Sequence, residues 1–243
     1  MNEDLVINLV QDLRRHMPRL GTRKLYRLLS NDLKNLPFSI GRDKLFLILR
    51  KYGHLVIKKR AFIKTTYSRH SYQTHRNLVK GLTINRPNQV WVADITYIRT
   101  EKGFVYLYLL TDLYSRKIVG FDLLRKLTVK GTLNAFNMAR KNTTTLSHLI
   151  HHSDRGAQYA CREYCNHLNN AGVSMSMTQE DHVYENAVAE RVNGILKDEF
   201  YLDRRFPTYE AALVAVSDAI HIYNSMRPHM SLNNLTPSQK YAA

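Results

Sequence analysis

The first fifty residues carry apolar positions at helical spacing in three blocks. Residues 5–16 have the sequence LVINLVQDLRRH, and a proline and a glycine then break the pattern, which predicts a first helix. Thr22 is expected to cap a second helix over RKLYRLLSNDL, and Ser39 a third over IGRDKLFLILRKY that ends at Gly53. This layout predicts a small all-α, helix-turn-helix-like domain.

From residue 89 the pattern changes to segments rich in β-branched and aromatic residues, namely QVWVADITYI, FVYLYLLTDLY and KIVGFDLL. Gly103 and the pair Ser115 and Arg116 fall at the two turns, so an antiparallel meander is expected. A helix opened by Thr128, a short strand, a helix, a strand and a long helix follow. The order predicts an α/β fold, a mixed sheet flanked by helices in the ribonuclease H-like arrangement.

The predicted elements divide the chain into four segments. A stretch without clean periodicity separates the helical region from the strands, and a final helix with a proline-punctuated tail closes the chain. We expect a helix-turn-helix-like DNA-binding domain at 1–53, a basic linker at 54–84, a ribonuclease H-like catalytic core at 85–205, and a C-terminal helix and tail at 206–243.

The formal net charge of +16 is unevenly distributed. Residues 1–84 carry 18 Lys and Arg against 5 Asp and Glu, a net charge of +13, whereas residues 85–243 carry 18 against 15. Such a concentration indicates a polyanionic partner, because neutralising phosphates releases counterions. Nucleic acid is the first candidate and an anionic membrane surface the second, and a basic face that merely solvates the protein is a third interpretation.

Basic residues on or beside the third predicted helix are the candidates for contact with a duplex. Those in the linker are candidates for following a phosphate backbone. Three-helix units also serve as plain structural caps, so the helical pattern alone leaves both roles open. The candidate residues are Arg42, Lys44 and Lys51 in the helical domain, and Lys58, Lys59 and Arg60 in the linker.

The sequence contains neither a signal peptide pattern at its start nor an apolar run of about 20 residues that would span a bilayer. Its two cysteines, Cys161 and Cys165, have no CxxC pair elsewhere to complete a zinc site, and we expect them to be reduced thiols. The expected location is the cytosol.

Three acidic residues stand out by their positions. Asp94 lies within an otherwise apolar strand, where an unpaired carboxylate would cost several kcal/mol, although an arginine or backbone donors could satisfy it. Asp154 directly follows a predicted strand and could instead be a helix N-cap. Glu190 lies in the long helix, where Asn186, Glu190 and Lys197 share one face.

Three converging acids would repel one another unless divalent cations joined them, and magnesium prefers carboxylate oxygen. A two-metal site for phosphoryl transfer is therefore the chemistry that these residues indicate. Lys197, two helical turns beyond Glu190, would face substrate phosphate, although a lysine on a helix is by default a solvated charge. The adjoining Arg191 is a further candidate for contact with DNA.

The segments WVADITYI, HHSDRGAQY and YENAVAERVNGILKDE, with the closing YNSMRPHMSLNNLTPSQKY, resemble the integrase core of bacterial insertion-sequence transposases, especially the insertion-sequence-three family. Thirty-five residues separate Asp154 from Glu190, and a basic residue follows seven positions later, as in that family. The resemblance implies that Asp94, Asp154 and Glu190 bind Mg²⁺ or Mn²⁺, two ions per site, and that Lys197 contacts the DNA end.

The resemblance also implies the reaction. Water first attacks a phosphodiester at the end of the element, and the freed 3′ hydroxyl then attacks another phosphodiester, so no Ser or Tyr nucleophile is needed. Implied partners are double-stranded DNA, further copies of the chain in a dimer or higher oligomer, and the product of a first reading frame. The chain shows no heptad run, so it is expected to be the product of the second frame alone.

One segment departs from the family pattern, because TQEDHV stands where relatives have a Gly- and Pro-containing loop before YENA. Other polar residues near the acids are interpreted as structural. Asp112 is expected to order a turn, and the neighbouring histidines are expected to have structural roles more than catalytic ones. These residues are Asp112, His151 and His152, together with Glu185 and Glu199 at the edges of the glutamate helix.

Two other functions remain open. A ribonuclease H-type nuclease would share the acids and metals but has no need of a basic N-terminal third. A non-catalytic DNA-binding repressor would keep the basic third while its carboxylates stay inert. Strand joining separates the transposase from the first alternative, and nicking that depends on magnesium separates it from the second.

Overall fold

The computed structural model describes residues 3–57, 74–143, 146–179 and 186–243. The chain divides into two compact units. The N-terminal unit takes in the described part of Met1–Phe62 together with Lys197–Tyr201, and the C-terminal unit takes in the described parts of Ile63–Leu196 and Leu202–Ala243. The bounds of the four predicted segments stay predictions.

The N-terminal unit is helical, as its pattern predicts. The second predicted helix is in fact two, because the chain turns at Leu29 between them. The caps also differ from prediction: Gly21 and Gly41, both in extended backbone, precede the helices in place of Thr22 and Ser39. The helices are α1 (Glu3–His16), α2 (Thr22–Leu28), α3 (Ser30–Lys34) and α4 (Arg42–Lys51).

Apolar stripes from these helices form the core of the N-terminal unit. Val6 and Val10 from α1, Leu25 from α2, and Leu45 and Leu49 from α4 are all inaccessible to solvent. The two residues of α1 are four positions apart, as are the two of α4, so each pair lies on one face of its helix, which is why the amphipathic pattern is sufficient to predict them.

The C-terminal unit contains a six-stranded mixed sheet, which confirms the predicted fold class. The first three strands form an antiparallel meander, and the next two add in parallel on the other side of β1. The order is β3-β2-β1-β4-β5, and the two-residue β6 pairs with the far end of β1. The strands are β1 (Val90–Thr100), β2 (Gly103–Asp112), β3 (Ile118–Leu124), β4 (Ile150–Ser153), β5 (Ser174–Met177) and β6 (Arg205–Phe206).

Helices cover both faces of the sheet, so β1 is buried on each side. Trp91 packs with Phe136 in one apolar cluster, whereas Val90 and Val92 pack with Ala189 in the other. The alternation follows from the two-residue period of a strand. The helices of this region are α5 (Val129–Lys141), α6 (Ala157–Ala160), α7 (Arg162–Asn170), α8 (Ala187–Glu199), α9 (Tyr209–Ser225), a 3-10 turn (Met230–Leu232) and α10 (Pro237–Ala242).

Asp112 orders the turn after β2, as predicted. Its carboxylate accepts hydrogen bonds from the backbone amide and hydroxyl of Ser115 and from the amide of Asn88. Glu199, at the end of α8, pairs with Lys24 at 2.7 Å within the N-terminal unit. Among the described residues, no helix has the length and apolarity that a membrane crossing requires.

Candidate active site

The three predicted acids lie on elements that meet at one end of the parallel strands. Asp94 is in the middle of β1, and Asp154 directly follows β4. The parallel ladder between these strands ends at the pair Val92 and His152, so each aspartate lies two residues beyond the last pair. Glu190 is in the first turn of α8, which packs on the same face of β1.

Asp94 is partly buried and already holds two hydrogen bonds. Its Oδ1 accepts from the Ile95 amide at 3.0 Å, and its Oδ2 accepts from Nδ2 of Asn193 at 2.6 Å. Burial, followed by the negative charge of Asp154 and a smaller contribution from Glu190, raises the pKa of Asp94 to about 7. The negative charges of Asp154 and Glu190 therefore both disfavour ionisation of Asp94.

Asp154 is held by the chain that follows it. Its Oδ1 accepts a hydrogen bond from the Gly156 amide at 3.0 Å. A Cβ at Gly156 would lie 2.9 Å from the same oxygen, so this turn favours glycine. The N-cap of α6 is Gly156, so Asp154 does not have the alternative role of a helix N-cap.

Glu190 has an exposed side chain, and two buried asparagines flank it, Asn186 directly before α8 and Asn193 within it. Asn186, predicted to share its face, donates to the Ala93 carbonyl oxygen at 3.0 Å. Asn193, which sequence reasoning missed, is the residue that donates to Asp94. The signal was available, because a position three residues after Glu190 lies on the same helical face.

The predicted ligands are of the chemical type that binds a hard cation, although their carboxylates do not lie close enough together to form a complete metal site. All three predicted ligands supply oxygen, which Mg²⁺ and Mn²⁺ prefer. Burial and like charge at Asp94 create a repulsion that a cation would relieve. Over the described ranges, no three His, Cys, Asp or Glu side chains stand close enough together to hold an ion.

Comparison with known proteins decides the family. The integrase core domain family matches residues 84–182, and a second integrase core domain profile matches residues 171–237. The insertion element IS600 uncharacterized 31 kDa protein of Shigella sonnei is 34% identical over 223 residues, which span 90% of this chain and 82% of that protein. The chain belongs to the integrase-core transposases of insertion sequences.

Two other relatives agree with this membership of the transposase family. The transposase InsF for insertion sequence IS3A of Escherichia coli K12 is 31% identical over 193 residues, covering 79% of this chain and 67% of that protein. The transposase for insertion sequence element IS629 of Shigella sonnei is 29% identical over 223 residues, covering 90% and 72%.

Solved structures show the fold of this transposase. The catalytic core domain of HTLV-2 integrase in complex with magnesium superposes with a TM-score of 0.52 at 21% identity, over 68% of this chain and 99% of that one. The simian T-cell lymphotropic virus intasome gives a TM-score of 0.55 at 17% identity, over 92% and 75%. Both likenesses confirm the ribonuclease H-like architecture.

The histidines before Asp154 belong to the core of the transposase. His151 is fully buried, contacts the Tyr164 hydroxyl through Nε2 at 2.9 Å, and has its pKa lowered to about 3 by burial. His152 is also buried, and its Nδ1 lies 2.8 Å from Oγ of Ser176. These contacts agree with the structural role predicted for both residues.

The predicted DNA-contact residues lie apart from one another in the chain. In the N-terminal unit, Arg42 pairs with Asp43 at 2.8 Å and Lys51 with Glu3 at 2.7 Å, while Lys44 is exposed. Such solvent-exposed pairs contribute little to stability, so phosphate can compete for these cations. On α8, Arg191 is exposed and Lys197 partly exposed. Lys58, Lys59, Arg60 and Glu185 lie outside the described residues.

Proposed function

We propose that the chain is a transposase that cleaves DNA at the ends of an insertion sequence and joins the freed ends to target DNA. The proposal rests on the placement of three acids in a chain of this family: Asp94 and Asp154 each lie two residues beyond the last pair of the β1–β4 ladder, and Glu190 lies in the first turn of the helix that packs on β1. These elements meet at the end of the parallel strands, where sites in such folds form.

Asp94, Asp154 and Glu190 would hold the divalent ions, Mg²⁺ or Mn²⁺, two for each site. Such ions supply activation of an attacking oxygen and stabilisation of a leaving oxygen at phosphorus. The chain's part is to present the carboxylates. Asp94 and Asp154 are fixed by hydrogen bonds to Asn193 and Gly156, and the exposed Glu190 side chain would turn towards them when the ions bind.

The proposed reaction has two steps of one kind. Water first attacks a phosphodiester at the element end, which leaves a 3′ hydroxyl. That oxygen then attacks phosphorus in the target, one phosphorus–oxygen bond forms as another breaks, and the target strand leaves with its own 3′ hydroxyl. The protein forms no covalent bond with DNA, so the site needs no nucleophilic side chain.

Binding of DNA is assigned to basic residues in two regions of the sequence. Lys197 and Arg191 on the glutamate helix would hold the element end, and the basic N-terminal region would hold the duplex. Because two element ends must be processed together, the active form is proposed to be a dimer or higher oligomer. A first-reading-frame partner stays a prediction.

The two alternatives differ in what they require. A ribonuclease H-type nuclease would cut an RNA–DNA hybrid and join nothing. A repressor would bind DNA with an affinity unchanged by magnesium and would cut nothing. The family of the chain favours the transposase over both, because its relatives are named as transposases of insertion sequences.

The deciding experiment incubates the protein with end-labelled DNA that carries the element terminus, with Mg²⁺, with Mn²⁺ or with EDTA. The expected result is labelled strands cut at the terminus and longer strands joined to target, both only with metal. Cutting without joining would support the nuclease, and tight binding without either product would support the repressor.

A further inference from the structure

Asn186, directly before α8, and Asn193, within α8, lie on either side of Glu190, and both donate hydrogen bonds to β1. Asn186 lies four residues before Glu190 and Asn193 three residues after it, so the three side chains share one helical face. Asn186 bonds the Ala93 carbonyl oxygen at 3.0 Å, and Asn193 bonds Oδ2 of Asp94 at 2.6 Å. The glutamate helix is therefore tied, on both sides of Glu190, to two consecutive residues of the aspartate strand.

Packing alone does not account for these two buried amides, because burying them costs free energy. Asn186 is 4% exposed and Asn193 is 6% exposed, and in each the Oδ1 atom is buried with no hydrogen-bond partner among the described residues. Burying an unpaired amide oxygen costs free energy, whereas the neighbouring Ala189 and Val192 bury only apolar surface. Within the described part of the chain, each amide thus leaves its own oxygen unpaired while it donates to β1, which indicates that the amides serve the position of the strand and helix.

Both hydrogen bonds reach β1 just beyond the end of its ladder with β4. The ladder between β1 and β4 ends at Val92, and the next two residues, Ala93 and Asp94, accept the side-chain hydrogen bonds of Asn186 and Asn193. A slip of α8 along β1 by one residue would break both bonds, so together they define a single register.

We propose that Asn186 and Asn193 are positioning residues that fix the register of α8 on β1, so that Glu190 faces Asp94. Asn193 also orients the Asp94 carboxylate by holding Oδ2. The inference rests on the proposed function, because it assigns these roles to the same acids. Partners of this kind, which contact a metal ligand and leave the metal itself alone, commonly change metal affinity or activity 10- to 100-fold when removed.

The test compares alanine and leucine variants of both asparagines in the full chain. Leucine has nearly the shape of asparagine without its polar atoms, so Asn186→Leu and Asn193→Leu keep the packing where the alanine variants leave a cavity. Asn224→Ala is the matched control. That asparagine lies on α9 and bonds both the amide and the carbonyl of Ile118 on β3 at 2.9 Å.

Two quantities are measured: binding of Mn²⁺ alone, by electron paramagnetic resonance of the free ion, and the rate of strand transfer at saturating Mn²⁺. Asn193→Ala and Asn193→Leu should weaken Mn²⁺ binding about tenfold or more. Asn186→Leu should lower the saturated rate about tenfold with a smaller change in Mn²⁺ affinity. Asn224→Ala should lower the melting temperature and leave both quantities within about twofold of the wild type.

The inference is overturned if the leucine variants match the wild type in Mn²⁺ affinity and in saturated rate. It is also overturned if, in every variant including Asn224→Ala, the Mn²⁺ affinity and the saturated rate fall in proportion to the loss of melting temperature. A wild-type protein that neither binds Mn²⁺ nor joins strands would instead refute the proposed function, so the two failures are distinguishable.

Discussion

At the scale of single residues, Asp94 shows the conflict between stability and function most clearly. Its carboxylate is partly buried beside the charges of Asp154 and Glu190, and its raised pKa means that the ionised form is disfavoured there. A group with a raised pKa binds its proton more tightly in the folded state, so the ionised carboxylate destabilises the fold when no cation is present. The proposed role of Asp94 in holding divalent ions explains why an acidic residue occupies this position despite its cost in stability.

The first prediction follows from that conflict. Asp94→Asn removes a charge that burial and two neighbouring carboxylates disfavour in the metal-free protein, so its melting temperature at pH 8 should equal or exceed that of the wild type. Strand transfer should fall to background. The melting temperature is measured without metal by calorimetry. A lower value for the variant would show that the carboxylate stabilises the fold, and would contradict the repulsion between Asp94 and its acidic neighbours.

The second prediction separates catalysis from DNA binding. Asp154→Asn should abolish strand transfer while its affinity for element-end DNA, measured by fluorescence anisotropy, stays within about threefold of the wild type, since that affinity comes from phosphate contacts elsewhere. The side chain keeps its size and can still accept from the Gly156 amide. A parallel loss of binding and strand transfer would argue against this division of roles.

At the scale of elements, periodicity predicted the helices and strands well, and it failed where a structure depends on contacts distant in sequence. The strand β6 has two residues, Arg205 and Phe206, which are too few for a pattern, and it exists because it pairs with the end of β1. The split between α2 and α3 at Leu29 likewise leaves no mark in the apolar spacing.

Prediction of the site from sequence has the same limit, because it also depends on contacts between residues distant in sequence. The positions of Asp94, Asp154 and Glu190 could be predicted because strand, strand end and helix each have a local signature. The hydrogen bond from Asn193 to Asp94 joins residues 99 positions apart, so only the packing of α8 on β1 reveals it. The helical spacing nevertheless places Asn193 on the correct face.

The third prediction concerns the packing of α5 on the sheet. A Cβ at Gly131 would lie 2.2 Å from the Tyr108 ring, which is buried and has its hydroxyl bonded to Thr128. Gly131→Ala should therefore destabilise the protein by roughly 1–3 kcal/mol through overpacking. Gly194 in α8 has nothing within 4 Å of such a Cβ, and Gly194→Ala should stabilise by about 0.5–1 kcal/mol.

Chemical denaturation of the two variants checks this pair. Because both glycines lie within helices, the gain in helix propensity is the same in each, and the difference isolates the contact with Tyr108. Equal shifts in the denaturation midpoint would show that α5 can move away from the sheet at little cost.

At the scale of the whole molecule, charge is divided between regions of the sequence. Residues 1–84 hold a net charge of +13, while the remainder holds nearly balanced charge together with the three acids. Phosphate contacts set affinity and its dependence on salt, whereas the acids set reactivity. We therefore propose that most of the affinity for DNA depends on residues 1–84, while Lys197 and Arg191 hold the element end beside the acids.

The fourth prediction measures the contribution of the N-terminal helices to DNA binding. Replacing Arg42, Lys44 and Lys51 by alanine should weaken binding and reduce the slope of log affinity against log salt by about 2.7, or 0.9 for each phosphate that is no longer neutralised. A control with the same change in net charge replaces the exposed lysines Lys102, Lys126 and Lys141. Equal slopes for the two triple variants would refute the contact between DNA and the N-terminal helices.

The central claim is that Asp94, Asp154 and Glu190 share divalent ions. The most direct measurement is a crystal structure of the protein with element-end DNA and Mn²⁺, in which anomalous scattering locates each ion. We expect two manganese peaks with oxygens from all three acids among their ligands. Peaks bound by only one of the three acids, or none at the end of β1, would contradict the claim.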